Sequence, residues 1–161
     1  MDYLKVQKKA MTDLYKSMNG KKADRWFYEK IDVHFYLSNG SFAVRIPETL
    51  FLLNKDYELL GKSTSVIGSI LDMRDSEDYK EVFFHYTKTV TVYGKKMNIA
   101  CLSNSVSESE RFTININSKL IDFFGKSWEL TFYAKDSVNP VFIRDTYDNL
   151  LGLIMPMRVN E

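Results

Sequence analysis

The chain has 161 residues, enough to bury a continuous core without disulfides or metals, and its 45% hydrophobic and 27% charged content is that of a soluble globular protein rather than a disordered or fibrous one. A net charge of +1 excludes a global electrostatic drive toward nucleic acid and equally an acidic mimic of it, leaving only local patches. Cys101 is the only cysteine, which excludes an intrachain disulfide and a C-x-x-C zinc site and points to a reducing, cytoplasmic compartment.

Residues 2–19 predict an amphipathic helix. Tyr3, Gln7, Ala10 or Met11, Leu14 and Met18 follow one face, widened by Val6 and Tyr15. Lys5, Lys8, Lys9, Thr12, Asp13 and Lys16 fall largely on the others, and Asn19-Gly20 supplies a left-handed stop. The start, Met1-Asp2-Tyr3-Leu4-Lys5, lacks the charged-then-apolar order of a signal peptide. No apolar run approaches the ~18 residues a membrane span needs.

From Ile31 to Leu37 the residues alternate strictly, with Ile31, Val33, Phe35 and Leu37 on one side, as in a half-buried strand. Asn39-Gly40 then signals a hairpin, and its partner strand carries Phe42, Val44 and Ile46 up to Pro47. The sequon Asn39-Gly40-Ser41 is read as that turn. Residues 47–80 are the least legible, with an apolar run at Leu50–Leu53, a loop at Lys62–Ser65 and an acidic run at Asp72–Asp78; an insertion is expected there.

Strands are expected at Val82–Tyr86, Thr89–Tyr93 and Met97–Leu102, the last two joined at Gly94-Lys95-Lys96, and at Phe112–Ile116. Asn117 or Ser118 can cap a helix of about two turns carrying Leu120, Ile121, Phe123 and Phe124 and ended by Gly125. Strands at Trp128–Ala134, Val141–Arg144 and Leu150–Pro156 close the chain. The fold class expected is α+β: one domain over residues 1–161, two helices packed on one face of an antiparallel sheet.

Three segments in order carry a resemblance. Ile114-Asn115-Ile116-Asn117-Ser118-Lys119-Leu120-Ile121-Asp122-Phe123-Phe124 resembles the "Phe-Asn, any residue, Lys-Tyr-Leu-Leu-Asp-Ala-Leu" strand-to-helix step of the bacterial sliding clamp family, the DNA polymerase III β subunit. Asn139-Pro140-Val141-Phe142-Ile143-Arg144 is similar to its "Ser-Pro-Val-Leu-Ile" strand, and Leu153-Ile154-Met155-Pro156-Met157-Arg158 to its "Val-Met-Pro-Met-Arg" ending. The resemblance lies mainly over residues 111–158 and implies a DNA-clamp-like single domain. Family members join three such domains and pair two chains into a ring, whereas this chain has room for one domain; a monomer or homodimer is favoured over a ring.

The resemblance further implies an apolar groove at Ile154, Met155, Pro156 and Met157 for a protein partner of DNA replication, repair or defence, with Arg158 holding an acidic or C-terminal group of that partner. It also implies helices whose cations touch phosphates loosely; here the candidates are Lys5, Lys8, Lys9, Lys16, Lys21, Lys22 and Arg25. The bland alternatives are an edge strand packed into the core and a solvated helix face. The expected function is thus a non-enzymatic accessory protein of DNA metabolism. The alternative is a phage or mobile-element inhibitor that blocks a host nucleic-acid enzyme, such as a defence nuclease.

Catalytic chemistry is not indicated. His34 and His85 stand far apart in separate strands without metal-ligand spacing, and Cys101 reads as a small buried hydrophobe. Asp72, Asp75, Glu77 and Asp78 lack the glycine and terminal glutamate of a calcium loop. No P-loop, G-x-G-x-x-G or G-x-S-x-G occurs, so no enzyme, metal or cofactor is expected.

Overall fold

The computed structural model describes residues 1–53, 61–62, 66–74, 76–92, 94–104 and 111–159. Helix α1 (Tyr3–Met18) opens the chain, capped by the Asp2 carboxylate, which accepts from the N–H groups of Leu4 and Lys5 at 3.0 and 3.1 Å. Strands β1 (Phe27–Ile31), β2 (His34–Ser38) and β3 (Phe42–Pro47) follow as a meander. The continuous strand expected over Ile31–Leu37 is broken, because Asp32 takes a positive φ of 53° and turns the chain between β1 and β2. The Asn-Gly hairpin forms as expected, its Asn39 side chain accepting from Ser41 N at 3.1 Å.

The segment after β3 contributes to the core instead of looping out of it. Gln7, buried in α1, donates to Leu50 O at 3.0 Å and accepts from Leu52 N at 2.6 Å, which seats Phe51 and Leu53 beneath the helix. Strand β4 (Gly61–Lys62) lies parallel to β1, and helix α2 (Val66–Asp72) comes next. The Glu29 carboxylate accepts from Ile67 N and Gly68 N at the start of α2. Most of the loop expected at Lys62–Ser65, and Asp75 of the acidic run, lie outside the described residues.

The two strands expected at Val82–Tyr86 and Thr89–Tyr93 are one 13-residue strand, β5 (Lys80–Val92), bulged at His85 and joined through Gly94 (φ 74°) to β6 (Lys95–Ser103). Strand β7 (Thr113–Asn117) leads into α3 (Ser118–Ile121), capped by Asn117, and a 3-10 turn (Ser127–Glu129) leads to β8 (Leu130–Ala134). Strands β9 (Val141–Asp145) and β10 (Leu150–Ile154) finish the sheet. The order is β4-β1-β2-β3-β10-β9-β8-β5-β6-β7, and every pairing is antiparallel except that of β4 with β1.

This overturns the clamp-like arrangement of two helices on one face. The second helix is one turn of α-helix rather than two, and a third, α2, packs on the opposite face. The alternation of each central strand explains why both faces need cover. Phe35, Leu37, Phe42, Val44, Ile46, Val141 and Ile143 point into a large core with Val6 and Ala10 of α1 and Ile121 and Phe124 beside α3. Tyr36, Ala43, Phe142 and Leu153 point the other way, against Ile67 and Leu71 of α2. A sheet with apolar residues on both sides is stable only when both are shielded from water. The residues read as an insertion supply that second shield.

Candidate nucleic-acid interface

The orientation of α1 decides which candidate cations face solvent. Its buried stripe is Val6, Gln7, Ala10 and Asp13, flanked by partly buried Tyr3, Met11 and Leu14. Two sequence expectations are therefore reversed. Asp13 turns inward, and Met18, with Tyr15, stands exposed on the outer side. A carboxylate enters a core only with partners, and Asp13 has them. Its Oδ2 accepts from Trp26 Nε1 at 3.0 Å and pairs with Lys9, while Lys16 lies 3.9 Å from Oδ1. Burial works against the charged form, but the hydrogen bonds from Lys9 and Trp26 and the charges of Lys9 and Lys16 outweigh it, so the Asp13 pKa is lowered.

That shift has a direction in pH. A carboxyl whose folded pKa lies below its ordinary 3.8 stabilises the fold in full above that value, and the contribution is lost as pH falls through the folded pKa. The melting temperature of the native chain is expected to drop as pH goes from about 5 to about 2. Asp13→Asn should start lower, by about 1–3 kcal/mol at neutral pH, and fall less steeply over that range. Parallel curves for the two proteins in thermal melts would remove this role from Asp13.

Three of the candidate cations are committed within the molecule. Lys5 donates to Asp122 O at 2.9 Å and sits 5.3 Å from the Phe123 ring centre, Lys9 spans Asp13 and Asp24, and Lys16 faces Asp13. Lys8, Lys21, Lys22 and Arg25 are exposed and have no ion pair among the described residues. The Lys21 N–H donates to Lys16 O at 2.9 Å, which folds the chain after α1 back onto the helix end and brings Lys21 and Lys22 near Lys16. Residues 2–25 hold seven of the 22 Lys and Arg but only three of the 21 Asp and Glu, so the rest of the chain is net acidic. The near-neutral total conceals this segregation.

Aromatic residues that sequence reasoning did not single out flank the other end of α1. An open cleft of about 680 Å³ is lined by Lys5, Phe84, Thr87, Asp122, Lys126 and Trp128, among others. Trp128 is 75% exposed and Lys126 lies 5.2 Å from its ring centre. The sequence placed Trp128 inside a strand. Gly125-Lys126-Ser127 just before it was the signal that the strand starts later. The cleft mixes Asp2, Asp122 and Glu129 with its two lysines, so it is not a phosphate channel.

The C-terminal segment lies elsewhere and is partly internal. Ile154 is fully buried between Phe42 of β3 and Val141 of β9. Met155 N donates to Ser41 O at 2.8 Å and Met157 N to Asn115 O at 2.7 Å, so the chain end laces the β2–β3 turn to β7. Met155, Pro156 and Met157 are half-buried and Arg158 is exposed. The segment could present a surface only from Met155 onward.

His34 is partly buried, with Arg45 Nη2 3.3 Å from its Nδ1; burial first and the Arg45 charge second lower its pKa. His85 sits on the β5 bulge with Nε2 2.5 Å from Ser103 Oγ, and buried Cys101 donates to Asn115 Oδ1 at 3.3 Å. Asp78 pairs with Lys135 at 2.5 Å and Asp72 ends α2. Among the described residues no three His, Cys, Asp or Glu side chains converge as metal ligands, and no helix is long and apolar enough to cross a membrane. No protein-family model, no curated protein and no solved structure matches the chain.

Proposed function

We propose that the protein is a non-enzymatic accessory protein of DNA metabolism, acting in the cytoplasm, that holds duplex DNA loosely by its phosphates along the outer face of α1 and the segment to Arg25. The observation that carries this reading is the exposed set Lys8, Lys21, Lys22 and Arg25, without an ion pair among the described residues, in a segment so rich in cations that the remainder of the chain is acidic. Such a set binds backbone without reading sequence, and the acidic remainder orients the molecule toward the duplex. The sequence resemblance over residues 111–158 to sliding clamps adds support for the DNA context. The ring and the two-helix layer of that family are not carried over.

The test is a fluorescence titration of labelled duplex DNA across a salt series. Binding should weaken as salt rises, without sequence preference. Replacing Lys21, Lys22 and Arg25 together by Gln should make the slope of log affinity against log salt shallower by about 2.7, the value for three lost phosphate contacts. An unchanged slope, or no binding even at about 50 mM salt, would remove the DNA reading.

A second reading is a regulator that covers the surface of a nucleic-acid enzyme. It is favoured by the exposed aromatics Phe84, Tyr86 and Trp128, a residue type enriched at protein interfaces. The same titration separates the two, since a regulator of this kind needs no affinity for free DNA.

A further inference from the structure

We propose that two copies of this chain join edge to edge through β5, antiparallel, about a two-fold axis passing at Thr89. β8 accompanies β5 only from Lys80 to Val82, and from Phe83 to Val92 the described residues place no strand on that side. The opposite side of β5 is paired with β6 all the way to Val92. Among the described residues, these ten positions therefore present an open row of backbone donors and acceptors, and their side chains are mostly exposed. Natural edge strands are normally short, charged or covered. This one is long, and between Tyr86 and Val92 its only charge is Lys88.

The side chains select the occupant. A two-fold axis normal to the sheet keeps each face on its own side, so residues of the same parity must oppose one another beyond the bulge at His85. Centred on Thr89, the register sets Thr89 opposite Thr89, Thr87 opposite Thr91, Lys88 opposite Val90 and Tyr86 opposite Val92. Thr–Thr and aromatic–β-branched pairs are among the favourable cross-strand pairs. Centring on Lys88 instead opposes two like charges, and centring on Val90 shortens the pairing. The strand is thus complementary to itself in one register that uses the whole regular stretch. A twofold contact of this kind closes on itself and leaves no edge for fibre growth.

The experiment is sedimentation of the full chain combined with cysteine cross-linking. The native protein is expected at twice 18.8 kDa at high micromolar concentration, and Thr89→Lys at 18.8 kDa with an unchanged circular-dichroism spectrum. Under mild oxidation Thr89→Cys should give a cross-linked dimer, since opposed residues in antiparallel strands lie within disulfide reach. Lys88→Cys should not, because its own copy is displaced along the ladder. Cys101 is buried and provides no background. A native chain that stays at 18.8 kDa overturns the proposal, as does a dimer that Thr89→Lys leaves intact or that Thr89→Cys fails to cross-link. None of these outcomes depends on DNA binding.

Discussion

Gly152→Ala is expected to destabilise the protein by about 4 kcal/mol or more, enough to lower its melting temperature by roughly 8–16 °C or to prevent soluble expression. Gly152 follows the irregularity at Leu150/Gly152, where β10 is out of step with β9, and has a φ of 152°. A methyl group there would lie 2.1 Å from the carbonyl oxygen of Ala43 and 2.7 Å from Cε1 of Phe124. The nearer contact is backbone of β3, which β10 pairs with directly, so relief requires parting two central strands. The positive φ adds strain that no side-chain movement removes. A circular-dichroism melt of the purified variant decides the matter. A shift below about 2 °C would mean that β10 and β3 are not held this closely.

Phe42→Ala should cost about 3–5 kcal/mol. Phe42 is 1% exposed and is the meeting point of three rings from two distant parts of the chain: Trp26 edge-on at 5.7 Å, Phe123 stacked at 5.1 Å and Phe124 edge-on at 6.3 Å. Truncation leaves a cavity bounded by β3 and the residues after α3, and the surrounding strands are too tightly paired to collapse into it. Urea unfolding should show a lower midpoint at an unchanged slope. Phe84→Ala, at a site 43% exposed, is the matched control and should change stability by less than about 1 kcal/mol. If the two variants unfold alike, Phe42 is not the centre of the core. Phe42 packs against Trp26, the neighbour of Arg25 and the partner of Asp13, so its loss can also disturb the cationic end of α1 and is read for stability alone.

Tyr86 and Trp128 show where local reading falls short on function. Strand propensity alone makes both residues ordinary core candidates, yet both are more than half exposed. Exposure depends on whether another element covers the position. No pattern within β5 records that β8 stops pairing at Val82. For the same reason the cations of α1 were found from sequence, but their division into committed and solvent-facing sets was not. Lys5 ends on Asp122, distant in the chain, and Lys9 on a carboxylate that was expected to face water.

By itself the sequence determined what short-range chemistry controls: the α1 helix and its Asn19-Gly20 stop, the Asn39-Gly40 hairpin, and the closing order of a strand, a capped helical turn and three strands. Periodicity and turn residues act over two to four positions, and there they were sufficient. Tertiary structure alone decided that Asp13 is buried with Trp26 while Met18 is not, that α2 covers the second face, and that the two strands expected around Thr87 are one. It also set β3 beside β10, where Val44 opposes Gly152. These outcomes depend on which distant surfaces shield which from water, and on the hydrogen bonds that become compulsory once they do.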